Sequence, residues 1–162
     1  MSKEKFHTLC QQTCFALNIS DTKALEDEGK IIIDDTEISI FYDEEDAPDY
    51  LLCSVDVGEI NQEYRADILE SLLALNLFSG TKTSGVYAVD IFSQHAVFIV
   101  MLSLTEILNG EDLVKTLKTY TQRSKHLNNT LLSKGSLIPD LQDTIINGNE
   151  GKSTSSFFDH FA

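Results

Sequence analysis

The sequence predicts an α+β protein in which helices pack against a twisted antiparallel sheet. Short runs rich in β-branched and aromatic residues alternate with longer segments of helical periodicity, and turn residues separate neighbouring runs. The 162 residues suit one domain with a core of ordinary size. We expect the order helix, three strands, helix, two strands, helix.

The first half of this order begins with a helix over residues 4–18 and a polar turn over 20–29. Three β-type runs follow at 30–35, 37–43 and 50–58, and we expect them to form an antiparallel meander. The apolar stripe of the helix consists of Phe6, Leu9, Cys10, Thr13 and Leu17.

The second predicted helix covers about residues 61–78, and Gly80 is placed to end it. Its apolar residues spread around most of the circumference, whereas a surface helix shows one apolar stripe. Something must therefore cover a second side of this helix. The residues concerned are Ile68, Leu69, Leu72, Leu73, Leu75 and Leu77.

Two further strands, 85–92 and 95–104, are joined by Ser-Gln and predict a hairpin. A last helix begins at Asn109, which can cap it, and stops at Gly135 and Pro139. Its apolar stripe consists of Leu113, Leu117, Tyr120, Leu127 and Leu131. We therefore expect one domain over 1–138 and a linker-like tail over 139–162 that ends in the aromatic sequence FFDHF.

The charge is strongly acidic, with 26 acidic and 12 basic side chains and a formal net charge of −14. Thirteen acids and one base lie between Glu26 and Glu59. Nucleic acid is an unsuitable partner for such a surface. The acidity either maintains solubility or attracts a basic or poorly soluble polypeptide.

The compartment expected from the sequence is the cytoplasm. The first residues contain no continuous apolar segment of a signal peptide, and no run approaches the length that spans a membrane, so we expect no membrane insertion. Three cysteines are an odd number for a secreted disulfide framework.

Catalytic and metal motifs are weak. The segment 146–154 ends in Gly-Lys-Ser but has Ile146 where a phosphate-binding loop needs its first glycine. His7, Cys10 and Cys14 share one helix, but a closed zinc site needs a fourth ligand. Glu63, Asp67 and Glu70 share a helix face and fit a solvated surface better than a metal cage. We therefore expect a protein that is no enzyme and needs no metal or cofactor.

Residues 65–104, RADILESLLALNLFSGTKTSGVYAVDIFSQHAVFIVMLSL, together with Asn76, the element order, the size and the acidity, resemble the class I type III secretion chaperones, the Tir chaperone family. The resemblance covers about the first 130 residues. It implies a homodimer that binds the non-globular N-terminal segment of one or a few secreted effectors without ATP. It also implies the secretion ATPase as a further partner. The leucine-rich helix would then meet its copy at the two-fold axis through Leu69, Leu72, Leu73 and Leu77.

An effector-binding surface is expected on the first two strands and the first helix, because both strand faces carry apolar residues. The alternative is that these isoleucines form the core, since the strand register decides which face is buried. The candidate residues are Phe6, Ile31, Ile33, Ile38, Ile40 and Tyr42. A different class of function uses the same fold as a non-secretory interaction or regulatory domain, as in the YbjN-like proteins.

Overall fold

The computed structural model describes residues 3–79, 85–107, 109–133 and 135, apart from the side chains of 78 and 79. Within these ranges the α+β order expected from the sequence is confirmed. The elements are α1 (Lys3–Ala16), α2 (Ala24–Glu28), β1 (Lys30–Ile33), β2 (Thr36–Phe41), β3 (Tyr50–Glu59), a 3₁₀ turn (Gln62–Tyr64), α3 (Arg65–Ser79), β4 (Gly85–Asp90), β5 (His95–Ser103), α4 (Gly110–Leu127) and a π-helical turn (Asn128–Leu132).

The five strands form one antiparallel sheet in the order β1-β2-β3-β5-β4. The long strands β3 and β5 occupy its centre, while β1 and β4 form the two edges. The meander and the hairpin predicted from the sequence are therefore both present. They join through the β3–β5 pairing, which no local sequence pattern specifies.

The short helix α2 corrects the polar turn expected over 20–29. Ala24–Glu28 form one helical turn whose Leu25 is buried, and Gly29 ends it with φ +64°. A left-handed φ suits glycine, which has no Cβ to clash with the following carbonyl group. The Gly29 N–H donates to the Leu25 carbonyl oxygen at 3.1 Å, so the turn closes directly before β1.

The last helix follows its predicted signals closely. The Asn109 side chain accepts a hydrogen bond from the Asp112 N–H at 3.0 Å, which caps an otherwise unpaired donor. At the other end, the Gly135 N–H donates to the Leu131 carbonyl oxygen at 2.8 Å and Gly135 has φ +77°. The predicted stop at Pro139 and the predicted end of α3 at Gly80 lie outside the described residues.

A bulge in β3 fixes the position of the π-helical turn. The register shifts between Asp56 and Gly58, and the Asn128 side chain donates from Nδ2 to the Val57 carbonyl oxygen at 2.7 Å. A Cβ on Gly58 would lie 2.1 Å from Asn128 Nδ2, and φ at Gly58 is +129°. Glycine is required here because both the backbone conformation and the close approach exclude a side chain.

The core lies between one face of the sheet and the helices. On β1 and β2 the alternation buries Ile31, Ile33, Ile38 and Ile40, so the structure places these four candidate effector-binding residues in the core, the alternative that the sequence left open. The physical reason is that α2 and α4 pack on this face, while α1 packs against both of these helices. We call it the covered face, and the opposite side of the sheet the open face.

Helix α3 lies beside β4, at the edge of the sheet. Its buried side consists of Ile68, Ser71, Leu72 and Leu75. Leu72, one of the four residues expected at the subunit interface, is only 3% exposed and packs in the core of the chain. In the part of the chain that the structure describes, no helix has the length and apolar character needed to cross a membrane.

Candidate partner-binding surfaces

The open face of the sheet carries the largest set of uncovered apolar side chains. The pairing Phe41–Leu52–Met101 runs across β2, β3 and β5, so three exposed apolar residues are direct cross-strand neighbours. Side chains in such pairs lie about 5 Å apart and form one continuous surface. The exposed apolar members of the open face are Ile32, Phe41, Tyr50, Leu52, Val86 and Met101.

An ion pair lies at the β1 edge of the open face. The Lys30 ammonium lies 2.7 Å from the Glu37 carboxylate, which is the main reason why the pKa of Lys30 is raised. The charge of Asp90, on the opposite edge strand, raises this pKa further.

The β4–β5 connection exposes two further apolar residues. The strand predicted over 85–92 ends at Asp90, so Ile91 and Phe92 belong to a turn rather than to the sheet. Phe92 is 93% exposed and Ile91 is 68% exposed. The sequence expectation of a two-residue Ser-Gln link was therefore wrong, and the longer turn projects both apolar side chains into solvent.

Hydrogen bonds hold this turn in one conformation. The Asp90 carboxylate accepts from the Phe92 N–H at 2.9 Å and the Ser93 hydroxyl at 2.8 Å, and these bonds lower the pKa of Asp90. The Arg65 guanidinium donates to the Gln94 side-chain oxygen at 3.0 Å, and the Ile60 N–H donates to the Gln94 carbonyl oxygen at 3.0 Å. The turn is thus tied to both α3 and β3.

A second half-exposed apolar patch joins α1 to the end of β2. The rings of Phe6 and Tyr42 stack with centroids 5.0 Å apart. Partial burial is the main cause of the raised pKa of Tyr42, followed by the charges of Glu44, Asp49 and Asp43. Of the six residues proposed for effector binding, Phe6 and Tyr42 are the two that the structure leaves accessible.

The outer side of α3 forms a third uncovered surface. Leu73 is 69% exposed and Leu77 is 76% exposed, while Leu69 is partly buried against the core. These three residues recur every four positions, so they form one stripe along the helix. The apolar residues that spread around α3 therefore divide into a core side and an uncovered side, as the sequence required.

Asn76, noted in the sequence resemblance, binds the edge of the sheet. Its Nδ2 donates to the Tyr87 carbonyl oxygen at 2.9 Å, and its Oδ1 accepts from the Tyr87 N–H at 2.7 Å. The side chain thus takes the place that a neighbouring strand would occupy on β4. This protects one edge from pairing with another chain and leaves β1 at the opposite edge.

All three cysteines are buried, and two of the histidines contact acidic side chains. Burial is the main cause that raises the pKa of Cys10 and of Cys53 to about 12, which keeps both thiols protonated and unreactive. His7 contacts Glu26, and the His95 Nδ1 lies 2.9 Å from the Asp56 carboxylate. Among the described residues, no three histidine, cysteine or acidic side chains converge on a point where a metal ion could bind.

The open face was only partly foreseen. The sequence shows that β1 and β2 carry apolar residues on both faces, but it leaves open which face is core, and four of the six candidate effector-binding residues are buried. The contribution of β3 and β5 was missed altogether, although the period-2 pattern from Tyr50 to Leu52 places two apolar residues on one side.

The fold, with its helices on one face and an uncovered face on the other, defines a class of α+β proteins with exposed apolar surfaces and no assembled catalytic group among the described residues. The model of the Tir chaperone protein (CesT) family matches residues 9–128. The chain belongs to this family of chaperones.

Among solved structures, the chain is similar to one in the crystal structure of the ExsC–ExsE complex. The TM-score is 0.64 at 16% sequence identity, and the match covers 83% of this chain and 99% of that chain. At this identity the similarity establishes the fold. No curated protein sequence matches the chain.

Proposed function

We propose that the protein is a cytoplasmic type III secretion chaperone that binds the non-globular N-terminal segment of a secreted effector as a homodimer. It keeps this segment competent for export without ATP. Membership in the Tir chaperone family over residues 9–128 is the observation that carries this proposal. The fold shared with a chain of the ExsC–ExsE complex is consistent with it.

The homodimer is proposed to form through the outer stripe of α3, where Leu73 and Leu77 are exposed and Leu69 lies at the margin. An isologous contact covers the same stripe in both copies, so one apolar patch serves two partners. Burying the two exposed leucines would contribute roughly 3–6 kcal/mol per subunit before the cost of association.

The effector is proposed to bind along the open face and the Phe6–Tyr42 patch. An extended segment can place alternate side chains on the apolar row Phe41–Leu52–Met101. It can also pair with the edge strand β1, whereas Asn76 occupies the edge of β4 at Tyr87. Acidic residues near Tyr42 favour a segment that carries basic residues.

The dimer is tested by light scattering on the double variant Leu73→Asp, Leu77→Asp. Wild type should have twice the 18.1 kDa mass of one chain, and the variant should have the mass of one chain with unchanged circular dichroism. The control is Phe15→Asp, because Phe15 is an exposed apolar residue on a different helix, and it should stay dimeric. A dimeric double variant would place the subunit interface elsewhere.

Effector binding is tested by calorimetry with the N-terminal segment of a secreted protein encoded beside this gene. Phe41→Asp and Met101→Asp should each weaken binding by at least about tenfold, or about 1.4 kcal/mol, while Phe15→Asp binds normally. ATP should leave the affinity unchanged, and the segment should be recovered chemically intact. Equal affinity for all three variants would exclude the open face, and turnover of the segment would exclude a chaperone.

A further inference from the structure

We propose that the C-terminal aromatic segment Phe157–Phe161 of the same chain docks on the open face and occupies it when no effector is bound. This extends the proposed function by assigning a competitor for the effector site, but the docking itself does not depend on that function. The segment FFDHF lies outside the described residues, and the docking is supported by the surface it would meet, its sequence and its attachment point.

The open face presents the apolar row Phe41–Leu52–Met101 together with Ile32 and Val86, all exposed. A contiguous exposed apolar patch on a folded chain marks an interaction site. The required occupant is therefore apolar, and aromatic side chains supply the largest apolar area.

The tail supplies such a group. Phe157, Phe158 and Phe161 are three of the nine phenylalanines of the chain, and they lie within its last six residues. The ten residues directly before them, 147–156, carry no apolar side chain, so the aromatic residues form a separate apolar block. No other feature of the sequence or of the proposed function assigns a role to this block.

The attachment point makes the open face accessible to this segment. Gly135, the last described residue, lies beside Tyr64, since a Cβ on Gly135 would be 2.5 Å from the Tyr64 ring. The adjacent Arg65 contacts Gln94 in the β4–β5 turn, so Gly135 lies near that turn. Phe157 follows Gly135 by 22 residues, which can span up to about 70 Å, whereas the domain has a radius of gyration of about 15 Å.

Tethering and charge favour the tail over a second copy of the chain as the occupant. A tethered segment reaches its site at an effective concentration of up to millimolar order, without a bimolecular step. A second copy brings its own charge of −14 to an acidic surface, while the five residues of FFDHF contain one acidic side chain. A basic effector segment would displace the tail by adding charge attraction and contacts along the whole face.

The docking can be measured by paramagnetic relaxation in the full-length chain. A nitroxide is attached to Ala162→Cys, which offers an accessible thiol, since Cys10, Cys14 and Cys53 are buried. The chain contains two methionines, Met1 and Met101, so a methyl-labelled sample reports Met101 of the open face through one assignable signal. Met101 and Leu52 should lose most of their intensity, while Leu73 and Leu77 on the outer side of α3 keep theirs.

The matched variants separate aromatic docking from proximity of the tether. Replacing Phe157, Phe158 and Phe161 by Ser in the same labelled chain should restore the Met101 and Leu52 signals. Replacing Thr154, Ser155 and Ser156 by Ala should leave the broadening unchanged. Retained intensity at Met101 and Leu52 in the parent chain would overturn the proposal, as would broadening that the Phe→Ser variant preserves.

A mixed sample identifies the source of the broadening. Spin-labelled chain without methyl labels is combined with methyl-labelled chain that carries no nitroxide, and Met101 should then keep its intensity. Broadening in the mixture would show that a second copy supplies the tail, which overturns docking within one chain. Adding the effector segment should restore the intensity of the Met101 signal in the labelled parent chain. If the effector segment binds without releasing the tail, competition at the effector site is overturned. Docking of the tail would still stand in that case.

Discussion

The two faces of the sheet carry similar side chains in opposite surroundings. On the covered face Ile38 is fully buried, whereas on the open face Ile32, in the neighbouring strand, is 69% exposed. Helix α3 repeats this contrast between Leu72 and Leu73. Apolar composition alone therefore does not distinguish a core position from a surface position in this chain, and the position of the helices decides between them.

The largest expected effect is a difference in stability between isoleucine substitutions on the two faces of the sheet. Ile38→Asp places an unpaired carboxylate in the core and should cost at least about 4 kcal/mol of unfolding free energy, enough to unfold much of the protein. Ile32→Asp places the same charge on the open face and should cost less than about 1 kcal/mol. Urea denaturation followed by circular dichroism measures both, and similar losses would show that the open face is covered in solution.

A smaller effect tests how the sheet edge differs from its open face. Asn76→Ala removes both hydrogen bonds to the Tyr87 backbone and should cost about 1–3 kcal/mol. Amide exchange at Tyr87 should also accelerate, since its N–H then faces solvent. The exposed Asn129 is the control, and Asn129→Ala should change the stability by less than about 0.5 kcal/mol. Unchanged exchange at Tyr87 would contradict the assigned role of Asn76.

The smallest effect concerns the turn beside the open face. The pKa of Asp90 is lowered below 3.8 by the Phe92 N–H and then by the Ser93 hydroxyl. Its stabilising contribution is therefore complete well above pH 3.8 and is lost as the pH falls through its folded-state pKa. The difference in unfolding free energy between wild type and Asp90→Asn should shrink over this acidic range. A difference that stays constant with pH would argue against these bonds.

Much of the fold follows from local sequence signals. Asn109 and Gly135 mark the ends of the last helical segment, and the alternation in β2 separates Ile38 and Ile40 from Phe41. The short helix α2 was missed because its single turn is too short to show helical periodicity. The end of β4 was placed two residues late because Ile91 and Phe92 have strand-type side chains although they form a turn.

Less of the candidate site than of the fold can be predicted from the sequence. The apolar character of both strand faces is visible in the sequence, but the sequence does not decide which face is buried. Phe6 and Tyr42 remain accessible members of that first assignment, and Leu73 and Leu77 remain uncovered members of the proposed dimer seam. The row Phe41–Leu52–Met101 joins three strands that are distant in sequence, so only the pairing register brings these residues together.

The sequence by itself determined the element types, the antiparallel hairpins and the existence of more apolar surface than one core can bury, because side-chain periodicity and turn residues act locally. Tertiary structure alone decided which apolar surface stays uncovered. The pairing of β3 with β5 aligns the strands, and the helices then pack on one side. Because successive side chains in a strand point to opposite faces, that single choice buries Ile38 and leaves Phe41 exposed.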